Sequence, residues 1–261
     1  MSRRSLQQCR AILTGASSGI GRALAVELAR RGAQLVLSAR RLDRLEQLAA
    51  ELRADGGLCE VVAGDLVQSQ TRNWLVKRAH EQFGGLDLLI NNAGVGALGR
   101  FDGADPARLR QVFEVDFFAA AELTRLAIPS LQRGHSPLVV NISSILGQHA
   151  LPRVSEYCAS KFALEGLSQS LRAELSTLGI DVLVVRPGTT QSEFHDSMVE
   201  RRGETPWPQP VGISAEVAAR RIVKAVAAGR ETITIDLRGW LYCAVARIAP
   251  GLLGRYVRRF G

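Results

Sequence analysis

The chain has 261 residues, of which 46% are hydrophobic and 22% are charged, values that are ordinary for a soluble globular protein. Its formal net charge is +8, but the arginines are spread among acidic residues along predicted helices, as in RRLDRLEQLAAELR (40–53), which excludes a continuous nucleic-acid-binding stripe. The four cysteines form no CxxC pair, so neither a metal site nor a disulfide framework is expected. The first ten residues contain no apolar run of a signal peptide, and no window is apolar enough for a spanning helix. These features favour a cytoplasmic protein.

Short apolar runs alternate along the chain with segments of helical periodicity. The predicted strands are 9–15, 33–39, 58–64, 86–92, 136–143, 179–188 and 231–236, and the predicted helices are 19–31, 41–54, 69–83, 105–132, 154–178 and 214–228. Continuously apolar strands joined by helices predict a parallel sheet that is covered on both faces. We therefore expect an α/β protein with a doubly wound parallel sheet of about seven strands, formed by one domain spanning 1–237.

The first predicted strand leads directly into TGASSGIG (14–21), which opens a predicted helix. Gly15 permits a tight turn, Gly19 lets the backbone approach a pyrophosphate, and Gly21 lets the helix pack closely against the strand. The N–H groups at the start of the helix then attract phosphate. The sequence predicts a dinucleotide-binding cradle, although a glycine-rich turn alone is also consistent with a purely structural role.

The second predicted strand ends in SARR (38–41), with Ala39 at the position where proteins that prefer NAD usually carry Asp or Glu. Arg40 offers a guanidinium to the 2′-phosphate of NADP(H). The alternative is that Arg40 only begins a basic surface helix. We expect NADP(H) to be favoured over NAD.

Five motifs occur in the order and spacing of the short-chain dehydrogenase/reductase family: TGASSGIG (14–21), NNAG (91–94), SS (143–144), YCASK (157–161) and RPG (186–188). The chain resembles this family over at least residues 9 to 194. The resemblance implies a Rossmann-type fold. It also implies an oxidoreductase that interconverts a secondary alcohol and a ketone, or reduces an aldehyde.

The resemblance implies that Tyr157 is the acid/base catalyst and that Ser144 orients the substrate oxygen. Lys161 lies one helical turn after Tyr157, where its charge is expected to lower the pKa of the phenol from its ordinary value of about 10. By resemblance Lys161 also binds the nicotinamide ribose. The alternative interpretation of YCASK is a helix surface where a Tyr and a Lys happen to be neighbours.

The resemblance also implies a set of cofactor-binding residues. They are Gly15, Ser17, Ser18, Gly19, Ile20 and Gly21 in the cradle, Arg40 at the 2′-phosphate, Asp65 and Leu66 at the adenine, Asn92 on the ribose side, Tyr157 and Lys161 at the nicotinamide ribose, and Thr190 at the carboxamide. Asn91 is as consistent with a tie between strands as with a ligand contact.

One catalytic position departs from the family pattern. The stretch FEVDFFAAAEL (113–123) places Asp116 where family members usually carry an asparagine. That asparagine is thought to hold a water that links the lysine to solvent, largely through its main chain. Asp116 adds a negative charge near Lys161, and we expect it to slow the reaction or shift its pH profile without abolishing activity.

The segment 238–261 carries five arginines and no acidic residue, and Pro250 with Gly251 is predicted to divide it into two short helices. A basic amphipathic extension of this kind fits peripheral contact with an anionic membrane surface. The alternative is packing on the chain's own surface, on a partner subunit or at the active-site mouth. The segment resembles the tails of membrane-associated family members that act on steroids or other lipophilic carbonyls.

The irregular segment 189–213 is predicted to be a lid, and its Phe194, Met198 and Trp207 indicate an apolar small-molecule substrate. By family habit the helices at 105–132 and 154–178 form a dimer contact, so we expect a homodimer or homotetramer.

The main hypothesis is an NADP(H)-dependent oxidoreductase with a Ser-Tyr-Lys mechanism. The alternatives are a non-catalytic dinucleotide-binding regulator, favoured only by Asp116, and a membrane-surface scaffold organised by the tail.

Overall fold

The computed structural model describes residues 3–194, 198–208 and 211–260, which form a sheet with helices on both faces. Its strands are β1 (Arg10–Thr14), β2 (Gln34–Ala39), β3 (Leu58–Ala63), β4 (Leu88–Asn91), β5 (Ala97–Leu98), β6 (Leu138–Ile142), β7 (Asp181–Arg186), β8 (Thr190–Gln191), β9 (Glu200–Arg201), β10 (Ile213–Ser214) and β11 (Thr232–Thr234). Its α-helices are α1 (Gly19–Arg30), α2 (Leu42–Ala54), α3 (Ser69–Phe83), α4 (Pro106–Phe113), α5 (Ala119–Leu131), α6 (Ser155–Ser176), α7 (Ala215–Ala227), α8 (Leu237–Ile248) and α9 (Pro250–Val257).

The main sheet has seven strands in the order β11-β7-β6-β4-β1-β2-β3, and all of its neighbouring strands are parallel. The chain runs outward from β1 to β3, returns to β4 beside β1, and runs outward again to β11. This confirms the predicted doubly wound parallel sheet. The direction of winding reverses between β1 and β4, and in open α/β sheets ligands bind outside the carboxyl ends of the strands at such a reversal.

Both faces of the sheet are buried, as the continuously apolar strands predict. Ile12 and Leu13 are neighbours on β1 and both are fully buried, yet they belong to different hydrophobic clusters because successive side chains point to opposite faces. One cluster includes residues of α1, α2 and α7, and the other includes residues of α3, α5 and α6. The sheet is therefore a rigid support, and the loops that follow its strands are held at the carboxyl ends of those strands.

The continuous helix predicted at 105–132 is wrong in its middle. Between α4 and α5 the chain forms a π-helical turn, Glu114–Phe118, that contains Asp116. A π-turn adds a residue to the helical turn and is frequently found at functional sites. Here it holds Asp116 buried, with 1% of its surface exposed.

The predicted lid, 189–213, is more ordered than a plain loop. Within it, β9 pairs with β5 and β8 pairs with β10, while its residues 195–197 and 209–210 lie outside the described residues. The tail forms two helices, as predicted, but they are separated at Ala249, because Pro250 and Gly251 begin the second helix. In the part of the chain that the structure covers, no helix combines the length and the apolar character that crossing a bilayer requires.

Candidate active site

A cavity of about 1460 Å³ lies above the carboxyl ends of the strands, lined by the loops that follow β1, β4, β6 and β7. Every residue predicted from the sequence to bind cofactor lines this cavity, as do Ser144, Tyr157 and Lys161. Asp116 is not part of the lining and lies directly behind Lys161. The fold thus brings the predicted residues together although they are distributed over most of the chain.

The glycine cradle has the backbone geometry that its sequence predicts. Gly15 and Gly19 have φ values of +67° and +53°, in the left-handed region that favours glycine. A Cβ on Gly21 would overlap the carbonyl oxygen of Gly15 and crowd the side-chain amide of Asn92. This turn therefore leaves no space for a side chain at position 21.

Two asparagines after β4 hold the cradle and the sheet. The Asn92 side chain donates to the carbonyl oxygens of Thr14 and Gly15, at 2.9 Å and 3.2 Å, so it fixes the turn as well as lining the cavity. The Asn91 side chain donates to Asn141 Oδ1 at 2.8 Å, across the β4–β6 pairing. Of the two interpretations offered for Asn91, the structure supports the tie between strands.

At the end of the cavity beside β2, an arginine that sequence reasoning missed reaches the cradle. Arg41 Nη2 donates to Ser18 Oγ at 2.8 Å and to Ser17 Oγ at 3.1 Å. Arg40 is exposed and also lines the cavity. The signal was present in SARR, because both arginines follow the strand. Which of the two arginines turns toward the cradle depends on the residue at which α2 begins.

The remaining predicted cofactor positions lie along the same cavity. Asp65 Oδ1 accepts a hydrogen bond from the Val67 N–H at 3.0 Å, which holds the turn after β3, and the neighbouring Leu66 is buried. Thr190 donates its hydroxyl to the Gly188 carbonyl at 3.3 Å, and it begins β8 just past the RPG motif.

Ser144 and Tyr157 face each other at the centre of the cavity. Ser144 is the N-cap of the 3₁₀ turn Ile145–Gly147, and its Oγ accepts from the Leu146 N–H at 3.1 Å. The Phe194 ring of the lid lies 5.3 Å from the Tyr157 ring, tilted by 58°. The Tyr157 phenol is therefore enclosed by an apolar lid residue on one side.

Lys161 makes a direct ion pair with Asp116 behind Tyr157. Lys161 Nζ lies 3.2 Å from Asp116 Oδ2 and donates to the Ile142 carbonyl at 3.3 Å. Asp116 Oδ1 accepts from the Val95 N–H at 2.7 Å. Burial raises the pKa of Asp116, and the Lys161 charge opposes that increase. The negative charge that the sequence places near Lys161 thus forms a direct side-chain ion pair with it.

The expected net lowering of the Tyr157 pKa is wrong. Burial raises the pKa of the Tyr157 phenol above its ordinary value, the Asp116 carboxylate raises it further, and a hydrogen bond with Ser144 lowers it. Lys161 Nζ lies 5.5 Å from the Tyr157 ring centroid, but Asp116 pairs with its charge. The sequence could not reveal this, because it does not show how close Asp116 comes to Lys161.

The helix α6, which carries Tyr157 and Lys161, takes part in a second buried ion pair. Arg108 on α4 donates from Nε and Nη2 to Glu156 Oε1, at 2.9 Å and 2.5 Å, and both side chains are 1% exposed. Glu156 directly precedes Tyr157, so this pair fixes the first turn of α6 against α4. Sequence reasoning missed the pair because 48 residues separate its partners.

The tail and the lid form the wall of the cavity opposite the cradle. Tyr242 on α8 donates its hydroxyl to the His149 carbonyl at 3.0 Å, which ties the tail to the loop after Ser144. The apolar lining on this side comes from Phe194, Met198 and Trp207 of the lid and from Leu253, Tyr256, Val257 and Phe260 of the tail. The tail therefore packs at the mouth of the cavity, which is one of the positions that its sequence leaves open. Among the described residues, no three His, Cys, Asp or Glu side chains come together as a metal site.

Comparisons with known proteins agree with this architecture. The family model described as short chain dehydrogenase matches residues 10–203. Ketoacyl reductase HetN of Nostoc sp. is 33% identical over 258 residues, covering 96% of this chain and 88% of that protein. The Hydroxysteroid 11-beta-dehydrogenase 1-like protein A of Xenopus laevis is 34% identical, covering 86% of this chain and 77% of that protein.

Solved structures are also similar. A short chain dehydrogenase/reductase from Burkholderia phymatum in complex with NAD superposes with a TM-score of 0.86, at 25% identity and with 96% of each chain covered. A short chain dehydrogenase from Burkholderia cenocepacia J2315 in complex with NADP has a TM-score of 0.79 at 28% identity, covering 89% of this chain and 98% of that one. The family match over most of the chain, on the fold and motifs described above, shows that this protein belongs to the short-chain dehydrogenase/reductase family of oxidoreductases.

Proposed function

We propose that this protein is an NADP(H)-dependent oxidoreductase that interconverts a secondary alcohol and a ketone, or reduces an aldehyde, on an apolar substrate. The observation that carries the proposal is that Ser144, Tyr157 and Lys161 line one cavity together with a glycine cradle. A phosphate cradle and a proton-transfer group in a shared cavity are what hydride transfer to a carbonyl requires.

The glycine cradle is suited to the pyrophosphate of a dinucleotide, and the end of β2 is suited to the 2′-phosphate that distinguishes NADP(H) from NAD(H). A Cβ at Gly21 would overlap the Gly15 carbonyl, so glycine keeps the cradle closed against α1, which begins there with its N–H groups. Ala39 leaves the end of β2 without the carboxylate that repels a 2′-phosphate, while Arg40 and Arg41 line the cavity. The similar solved structures bind NAD in one case and NADP in the other, so these arginines are what favours NADP(H).

When bound, the nicotinamide supplies or accepts the hydride. In the reductive direction Ser144 donates a hydrogen bond to the substrate oxygen and Tyr157 donates its proton to that oxygen. Lys161 binds the nicotinamide ribose and holds its positive charge behind the phenol. The pKa of Tyr157 is raised, so the phenol holds the proton that carbonyl reduction requires.

The substrate end of the cavity indicates a lipophilic carbonyl compound. Its lining combines lid residues such as Met198 and Trp207 with tail residues such as Leu253 and Val257. Relatives carry the names ketoacyl reductase and hydroxysteroid dehydrogenase, both of which fit an apolar substrate that carries a keto or hydroxyl group.

The outer surface of the tail supports a peripheral contact of a cytoplasmic protein with anionic membranes. Trp240, Ile248 and Leu252 are 56%, 83% and 60% exposed on helices that carry arginines and no acidic residue. We therefore treat 238–261 as an extension of the 1–237 domain that serves both the cavity and a surface. In a flotation assay the protein is expected to float with phosphatidylserine vesicles but not with phosphatidylcholine vesicles. The double variant Ile248→Ser with Leu252→Ser is expected to lose the binding to phosphatidylserine vesicles.

We propose that the protein forms a homodimer or a homotetramer in solution. Two copies of the chain would contact each other through α4, α5 and α6. Phe118 and Phe162 on this side of the molecule are 48% and 44% exposed, which leaves apolar area for such a contact. Sedimentation equilibrium distinguishes these states from a monomer. A monomer at micromolar concentration would contradict this assignment and leave the chemistry unaffected.

The proposed function is tested by following NADPH and NADH oxidation at 340 nm with aliphatic, aromatic and steroid carbonyls. Turnover that prefers NADPH, and that falls by about a thousandfold or more in Tyr157→Phe, supports the proposal. NADPH binding with no turnover on any carbonyl would instead favour the non-catalytic regulator. The buried Asp116–Lys161 pair is the feature that favours this second candidate.

A further inference from the structure

Three charged side chains meet where the lid reaches the cradle. Glu193 in the lid lies 3.1 Å from Arg41 Nη1 through its Oε2. It also lies 2.7 Å and 2.6 Å from Arg44 Nη1 through Oε1 and Oε2. The three side chains are between 41% and 44% exposed, so nucleotides can reach them from solvent.

This cluster is continuous with the phosphate cradle. The same guanidinium of Arg41 that contacts Glu193 also donates to Ser17 and Ser18. Ser192, the residue before Glu193, lies against Gly19, because a Cβ on Gly19 would approach the Ser192 Cβ to 3.0 Å. The lid therefore places a carboxylate on two arginines at the edge of the dinucleotide site.

A carboxylate and a phosphate bind arginine in the same way. Both present oxygens that accept charge-assisted hydrogen bonds from the guanidinium fork. The carboxylate and the phosphate cannot accept from the same N–H groups at the same time. If both lay beside one guanidinium, their negative charges would repel each other.

We propose that Glu193 is a specificity-determining residue that competes with the nucleotide 2′-phosphate for Arg41 and Arg44. The inference rests on the proposed NADP(H) site and goes beyond it. A nucleotide with a 2′-phosphate must displace the Glu193 carboxylate before it gains both arginines, whereas a nucleotide with a free 2′-hydroxyl leaves that contact intact. Glu193 therefore reduces the preference for NADP(H) that the arginines would otherwise produce.

The expected effect is moderate because the three side chains are exposed to solvent. Exposed ion pairs contribute little each, so removing the carboxylate is expected to tighten the binding of a 2′-phosphorylated nucleotide by about three- to tenfold. Binding of a nucleotide without that phosphate is expected to change by less than about twofold. The gain is expected to shrink as salt rises, since exposed charges are screened.

The experiment is isothermal titration calorimetry with adenosine 2′,5′-bisphosphate and with ADP as probes, which requires no turnover. The variant is Glu193→Gln, and the matched control is Glu46→Gln, which removes an exposed carboxylate of α2. Tighter binding of the 2′-phosphorylated probe alone, in Glu193→Gln but not in Glu46→Gln, supports the proposal. An equal change for both probes, or no change, overturns it. Weaker ADP binding in Glu193→Gln also overturns it, because Glu193 would then bind the ribose hydroxyl.

A double-variant cycle tests whether Glu193 acts through the arginines. In an Arg44→Gln background the gain from Glu193→Gln is expected to fall by half or more, and an undiminished gain counts against the proposal. Failure of the inference and failure of the proposed function are distinguishable. If the unaltered protein binds neither probe, the cofactor site itself is wrong, whereas normal binding with no response to Glu193→Gln rejects the competition alone.

Discussion

Replacing Asp116 by asparagine should lower the pKa of Tyr157 and move the pH dependence of alcohol oxidation toward acid. Asp116 pairs with Lys161 at 3.2 Å and raises the pKa of the phenol. Asparagine removes the negative charge, frees the charge of Lys161 to stabilise phenolate, and retains an oxygen that accepts from the Val95 N–H. The Lys161 charge then acts on the phenol without an opposing carboxylate.

The size of the shift follows from the distances. Lys161 Nζ lies 3.2 Å from Asp116 Oδ2 and 5.5 Å from the Tyr157 ring centroid, so the carboxylate lies within about 9 Å of the ring. A unit charge at about 9 Å with an effective dielectric constant of about 20 is worth roughly 2 kcal/mol. That energy corresponds to a decrease of about one pKa unit.

The assay is the pH profile of kcat/KM for oxidation of a secondary alcohol by NADP⁺, where activity rises as Tyr157 loses its proton. We expect the rising limb of Asp116→Asn to lie about one pH unit below that of the unaltered protein. Glu174→Gln, an exposed carboxylate on the same helix as Tyr157, is the matched control and should leave the limb unchanged. An unmoved limb in Asp116→Asn, or a limb moved toward alkali, would refute the electrostatic reasoning.

Two further substitutions test the frame of the site. Gly21→Ala should weaken NADPH binding by more than about tenfold and lower stability by about 1–3 kcal/mol, because its Cβ overlaps the backbone of the cradle. Gly251→Ala, where a Cβ meets nothing within 4 Å, is its control in calorimetry and fluorescence titration. Arg108→Ala should cost about 3–5 kcal/mol in urea unfolding, because it leaves the Glu156 carboxylate buried without its partner. Arg125→Ala, which removes an exposed pair, should leave the free energy of unfolding nearly unchanged, and equal losses in the two variants would contradict the burial argument.

The sequence predicts the parts of this protein that depend on local pattern. Continuously apolar strands that alternate with helices indicate the doubly wound sheet, and the buried pair Ile12 and Leu13 shows why such strands have no polar face. The cradle is equally predictable, because Gly15 and Gly19 adopt positive φ values that few other residues tolerate. In each case the residue type limits the local conformation.

The features that the sequence did not predict depend on distances between remote elements. The π-helical turn at Glu114–Phe118 has ordinary helical periodicity in sequence, and only contact with Lys161 shows that it holds Asp116 inward. Arg41 and Glu193 are separated by 152 residues, so their ion pair leaves no trace in either local segment. The raised pKa of Tyr157 has a similar origin, since it comes mainly from burial of the phenol by the folded chain and secondly from the Asp116 carboxylate.

The most direct test of the central claim is transfer of deuterium to a carbonyl substrate from NADPH that carries deuterium at both positions on C4 of the nicotinamide. Mass spectrometry of the alcohol product is compared for the unaltered protein and Tyr157→Phe, with NADPH binding measured in parallel. The account predicts a product one mass unit heavier from the unaltered protein, and a rate lower by about a thousandfold or more in the variant with binding retained. An unlabelled alcohol product, or equal transfer by Tyr157→Phe, would contradict it.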